Sequence, residues 1–158
     1  GGPMGLMLAA LLIAQHRTVT VADPHPERRA QAVRLGARSA DRLARHHELV
    51  FEAVGNPEAW RDAAAAAAPG AVVVLVGGCP SGTEVTLDPG RLHYEELELR
   101  GTFHHDRDDV DRALAALADN TVPWQTFEGP TIPLSDLPHA LATPSGGPAL
   151  KWVVDPRR

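Results

Sequence analysis

Three short strand-like runs alternate with helices, and that order restricts the fold more than any other feature of the sequence. Thr18-Val19-Thr20-Val21-Ala22 is β-branched, Leu49-Val50-Phe51-Glu52-Ala53-Val54 is mostly apolar, and Ala71 to Val76 is apolar almost throughout. A continuous apolar run of strand length suits a strand buried on both faces of a parallel sheet. Between these runs, Pro26 to Leu35 has amphipathic spacing with Gly36 as its stop, and Glu58 to Ala68 is an alanine-rich helix closed by Pro69-Gly70. Parallel neighbours need such crossovers, whereas antiparallel ones do not. Ahead of them, Pro3 to Gln15 reads as a helix with apolar residues around most of its circumference, so deep burial is expected. The pattern predicts an α/β fold built on a doubly wound parallel sheet.

The rhythm changes after Gly77-Gly78-Cys79-Pro80. Val85-Thr86-Leu87 is a brief extended piece, Leu97 to Phe103 a further strand, and Asp106 to Ala118 an amphipathic helix with acidic residues in its first turns. From Pro123 the composition shifts to Pro, Thr, Ser and Gly, with a short helix at Ser135–Ala142 and a last strand at Leu150–Val154. The expected organisation is one domain over residues 1–122 and a second structural unit over 123–158. A net charge of -5 gives no general electrostatic footprint for nucleic acid. Charged residues or prolines interrupt every apolar run before membrane-spanning length. One cysteine, Cys79, excludes an internal disulfide framework, so a cytoplasmic location is expected.

The chain opens Gly1-Gly2-Pro3-Met4-Gly5 and runs directly into the first helix. Glycines at such a turn let backbone N–H groups approach a pyrophosphate, and the helix N-terminus favours its charge. Asp23 closes the strand that follows, at about the 20-residue spacing of the dinucleotide-binding fingerprint. A carboxylate there accepts hydrogen bonds from ribose hydroxyls and repels a 2′-phosphate, which favours NAD over NADP. Asp23-Pro24 as a plain turn is the alternative reading.

These residues resemble the cofactor domain of the medium-chain dehydrogenases, in particular the zinc-dependent polyol, threonine and cyclitol branch. Gly1 to Gly5, Val21-Ala22-Asp23, Arg28-Arg29 and Leu35-Gly36-Ala37 carry the first part of the likeness. Phe51-Glu52-Ala53-Val54-Gly55, Val76-Gly77-Gly78, Leu99-Arg100-Gly101-Thr102-Phe103 and the closing Gly147 to Val154 carry the rest. The resemblance implies a Rossmann dinucleotide-binding fold and a family pattern Gly-x-Gly-Pro-x-Gly after a strand. Gly1 then stands at the first variable position, so the first glycine, the first strand and the zinc-bearing catalytic half are expected upstream. It further implies cofactor contacts from Gly1, Gly2, Pro3, Met4, Gly5, Asp23, Val54, Gly55, Val76, Gly77, Gly78, Thr102 and Lys151. Arg28 stands where the family places a basic residue over the adenosine ribose, a surface charge being the other reading. His104 stands beside the nicotinamide position, a solvated histidine being the other reading.

The function implied is the NAD-binding portion of an oxidoreductase that moves hydride between an alcohol and the nicotinamide. The alternative is a non-catalytic dinucleotide-binding or interaction module. No catalytic and no metal-ligating residue is assigned, since adjacent histidines such as His46-His47 and His104-His105 point apart on a strand. Zinc is expected only in the family's other half. A homodimer or homotetramer through Val85–Leu87 and Leu97–Phe103 is implied as well. In strand order 3-2-1-4-5-6, Thr18–Ala22 and Leu49–Val54 would flank the first strand. Lacking it, they are expected to remain unpaired across a slot of about 9–10 Å, leaving the chain marginally stable and weak in NAD binding.

Overall fold

The computed structural model describes residues 1–142 and 151–157. The elements run α1 (Pro3–Ala14), β1 (Thr20–Ala22), α2 (Pro26–Arg34), β2 (Arg38–Ala40), β3 (His47–Glu52), α3 (Pro57–Ala66) and β4 (Ala67–Leu75). They continue α4 (Pro89–Tyr94), β5 (Glu98–Gly101), α5 (Arg107–Ala118), β6 (Thr131–Pro133), α6 (Leu137–Ala142) and β7 (Val153–Asp155), with 3₁₀ turns at Trp124–Thr126 and Leu134–Asp136. Every strand pair is parallel: β1 with β2, β4 with both β3 and β5, and β6 with β7. The expected α/β architecture with parallel pairing is therefore present. Among the described residues no ladder joins Thr20–Ala22 to His47–Glu52.

The chain divides into two compact units, Gly1–Asp41 with Arg107–Arg158, and Arg42–Asp106. In the first, Leu6 and Ala9 of α1 pack with Val21, Ala32, Ala37, Val122 and Phe127. Deep burial of α1 is corrected: Leu6, Ala9 and Ala10 are buried, whereas Met4 is half exposed and Leu11, Leu12 and Ile13 are half-buried. Its composition is apolar all round; Met7, Leu11 and Ile13 pack against the same core without being fully buried. The helix ends at His16, whose φ of 60° takes the left-handed turn. The Arg17 N–H reaches back to the Leu12 carbonyl at 3.0 Å. Gly36, at φ 93°, ends α2 in the same way, with Ala37 N–H on the Ala32 carbonyl at 3.0 Å.

In the second unit β4 is central, flanked by β3 and β5, and Val50, Ala63, Ala66, Ala67, Ala71 and Val73 form the core. The boundary between α3 and β4 falls earlier than the sequence predicts. Ala67 already pairs with His47, and the register then shifts so that Leu49 faces Val72. Pro69-Gly70 lies inside that irregular stretch of β4 instead of ending the helix. Arg91 of α4 closes the region by donating to the carbonyls of Ala64 and Ala67, each at 2.7 Å. Asn56 caps α3, its Oδ1 accepting the Ala59 N–H at 2.8 Å. Asn56→Ala is expected to destabilise the chain by about 1 kcal/mol, read from a denaturant midpoint.

Val85–Leu87 forms no ladder, and the strand expected over Leu97–Phe103 narrows to Glu98–Gly101. The last strand begins at Val153, so Lys151 precedes it; Gly147 to Leu150 lie outside the described residues. No described helix is long and apolar enough to cross a membrane.

Candidate cofactor site

The carboxyl end of β1 and the start of α1 belong to the first unit. Gly2 is the N-cap of α1, with extended backbone, and Pro3 takes the first helical position where no N–H is needed. A Cβ on Gly2 would meet no atom within 4 Å, so the approach to this helix end is open. Gly1 is the opposite case: a Cβ there would lie 2.9 Å from the Asp23 Cβ and 3.0 Å from the Arg28 Cβ. The sequence thus brings the glycine turn against the acid that ends β1. Met4 is half exposed and Gly5 lies in the first turn of α1.

Asp23 is 7% exposed. Its Oδ1 accepts the His25 backbone N–H at 2.9 Å and faces His25 Nδ1 at 2.8 Å, while Oδ2 lies 3.0 Å from the Gly1 amine and 3.6 Å from Arg28 Nη1. Arg29 Nη1 donates to the carbonyls of Asp23 at 2.8 Å and Pro24 at 2.9 Å, which fixes the turn into α2. His25 and Arg29 act through local contacts, two to six positions along the chain, that fold the turn after β1.

Burial pushes the Asp23 carboxyl up, but hydrogen bonds from the His25 backbone and ring and from the Gly1 amine outweigh it, and its pKa falls to about 2 from 3.8. A depressed carboxyl stabilises the fold above its ordinary pKa, and that stability is lost as pH falls toward the folded value. The stability difference between wild type and Asp23→Asn is therefore expected to shrink as pH drops from 3.8 toward about 2, as thermal melts across that range would record.

The second unit holds a separate cluster at the carboxyl ends of β3 and β4. Glu52 closes β3 and is 4% exposed. Its Oε1 accepts the N–H groups of Val54 at 2.6 Å and Gly55 at 3.0 Å, and its carbonyl accepts those of Val76 at 2.9 Å and Gly77 at 3.0 Å. Trp60 Nε1 donates to the Gly77 carbonyl at 2.9 Å. Gly55, at φ 81°, lies backbone to backbone with the second turn: its Cβ would stand 2.7 Å from the Gly78 carbonyl oxygen. Val54 is left 71% exposed.

Thr102 donates its N–H to the Leu75 carbonyl at 3.3 Å, so it sits just beyond the same strand ends. His104 is exposed, its ring edge-on to Phe103 at 4.8 Å. Lys151 is exposed and belongs to the first unit. The structure thus gathers Gly1, Asp23 and Arg28 in one unit, and Val54, Gly55, Gly77 and Gly78 in the other. No group of three or more His, Cys, Asp or Glu among the described residues is placed to hold a metal ion.

Comparison with known proteins identifies the family and the fold. The family profile for zinc-binding dehydrogenases matches residues 3–119. The 2-dehydro-3-deoxy-L-galactonate 5-dehydrogenase of Pseudoalteromonas atlantica is 26% identical over 169 residues, covering 98% of this chain and 49% of that protein. Among solved structures, a candidate zinc-binding dehydrogenase from Sinorhizobium meliloti 1021, bound to NADP, superposes with a TM-score of 0.88 at 23% identity. That match covers 99% of this chain and 50% of the other. L-idonate 5-dehydrogenase from Escherichia coli gives a TM-score of 0.81 at 21% identity over 97% of this chain and 47% of its own. The chain spans about half the length of the relatives it matches.

Proposed function

This chain belongs to the zinc-binding dehydrogenase family, and on that premise we propose that it is the NAD-binding portion of an oxidoreductase acting on a small alcohol, of the polyol, cyclitol or amino-alcohol class. The observation that carries the reading is the buried Asp23 carboxylate at the end of β1, packed against the glycine turn that opens α1. Asp23 accepts ribose hydroxyls, Gly2 and the start of α1 take the pyrophosphate, and Arg28 and Lys151 add positive charge. Val54, Gly55, Val76–Gly78, Thr102 and His104 serve the nicotinamide end. The bound cofactor supplies hydride transfer; the residues of this chain bind and orient it and take no chemical step. Polarisation of the alcohol oxygen by zinc falls to the family's catalytic half.

Calorimetric titration of the chain with NADH and with ADP-ribose tests the reading. Weak binding of both at one site per chain is the expected result, and binding of neither at millimolar ligand would overturn it. The chain alone is expected to oxidise no alcohol, and turnover by it would contradict the division of labour.

The same reading places a subunit contact at Val85–Leu87 and Leu97–Phe103. Its support is that β5 is an outer strand of the three-stranded sheet and Phe103 is 89% exposed. An outer strand with an exposed aromatic beside it templates pairing with a second copy. Sedimentation at micromolar concentration is expected to show a dimer or tetramer that Phe103→Asp shifts toward monomer.

A further inference from the structure

We propose that Glu52 is a positioning residue for the cofactor, holding the Val54–Gly55 turn and the Val76–Gly78 turn in one fixed arrangement; this rests on the nicotinamide-side reading of those turns. Four backbone N–H groups, from Val54, Gly55, Val76 and Gly77, converge on this one residue, two on its carboxylate and two on its carbonyl. A strand can place two neighbouring turns through its backbone alone. What the side chain adds is the grip on Val54 and Gly55, which turns the chain back so that Gly55 meets Gly77 and Gly78. Trp60 closes the arrangement from α3 by holding the Gly77 carbonyl.

The second carboxylate oxygen shows that stability alone does not account for the residue. Oε2 is buried and has no hydrogen-bond partner among the described residues, and a Cβ on Gly77 would lie 2.8 Å from it. An unmatched buried carboxylate oxygen is costly, and an apolar side chain would avoid it. No apolar side chain could gather the two N–H groups. The acid acts through its other oxygen, which holds the Val54 and Gly55 N–H groups.

The test is calorimetric titration of the chain and its variants with NADH and with ADP-ribose, which shares the adenosine diphosphate ribose and lacks the nicotinamide. Glu52→Ala is expected to raise the Kd for NADH about tenfold and that for ADP-ribose by less than about threefold. Glu52→Gln keeps one carbonyl acceptor for Val54 and Gly55 and should restore NADH binding to within about threefold of wild type. Hydrogen exchange of the Val54 and Gly55 amides, measured without ligand, is expected to quicken in Glu52→Ala and remain slow in Glu52→Gln. Equal weakening of both ligands, or NADH binding unchanged in Glu52→Ala, would overturn the positioning role. Wild-type chain that binds neither ligand would overturn the functional reading and the cofactor role together. Unchanged exchange would overturn the grip of Glu52 on the turn independently of any ligand.

Discussion

Asp23→Ala is expected to reduce the preference for NAD over NADP by about 1–3 kcal/mol, from roughly fivefold to more than a hundredfold in relative affinity. Two effects add in the same direction. The carboxylate proposed to accept ribose hydroxyls is lost, which weakens NAD. The charge that repels a 2′-phosphate is also lost, while Arg28, whose Nη1 lies 3.6 Å from Asp23 Oδ2, remains to attract it. The Sinorhizobium meliloti neighbour is bound to NADP. Parallel titrations with NADH and NADPH are the check. Tighter NADPH binding by the wild-type chain, or an unchanged ratio in Asp23→Ala, would contradict the assignment.

The alternation of strands and helices was legible because the longer elements carry it. The apolar run from Ala71 and the amphipathic spacing from Pro26 need no tertiary context to be recognised. What escaped were pieces of three residues: Arg38–Ala40 and Thr131–Pro133 are too short for any alternation, and their strand character comes from pairing with β1 and β7. Ala67 shows tertiary context overriding propensity. Its neighbours favour helix, yet it is fully buried and pairs with His47 as the first residue of β4.

The site divides along the same line. Asp23 announces itself by its position after a strand, at a spacing a sequence displays. Glu52 does not, since within Leu49–Val54 it reads as one more strand residue. Trp60 reads as a core or interface residue until its indole N–H is seen on the carbonyl of Gly77. A contact across 17 positions leaves no local signature.

Gly55→Val is expected to damage the second unit severely. A β-branched residue at φ 81° is strained by about 1–3 kcal/mol before any neighbour is considered. Its Cβ would then lie 2.7 Å from the Gly78 carbonyl oxygen and 3.1 Å from the Gly78 nitrogen, both backbone atoms that cannot rotate away. Forcing a side chain into such a contact adds about 1–3 kcal/mol. The sum, about 2–6 kcal/mol, is a large share of the roughly 5–15 kcal/mol that stabilises a domain of ordinary size. Gly82 provides the control: it has a similar φ of 82° but no atom within 4 Å of a Cβ, so Gly82→Val bears the backbone strain without the collision. Denaturant midpoints should therefore fall further for Gly55→Val than for Gly82→Val by about 1–3 kcal/mol. Equal losses at the two positions would mean that the Gly55 turn can move away from Gly77–Gly78. In that event the two turns are not locked, and Glu52 and Trp60 hold less than their hydrogen bonds imply.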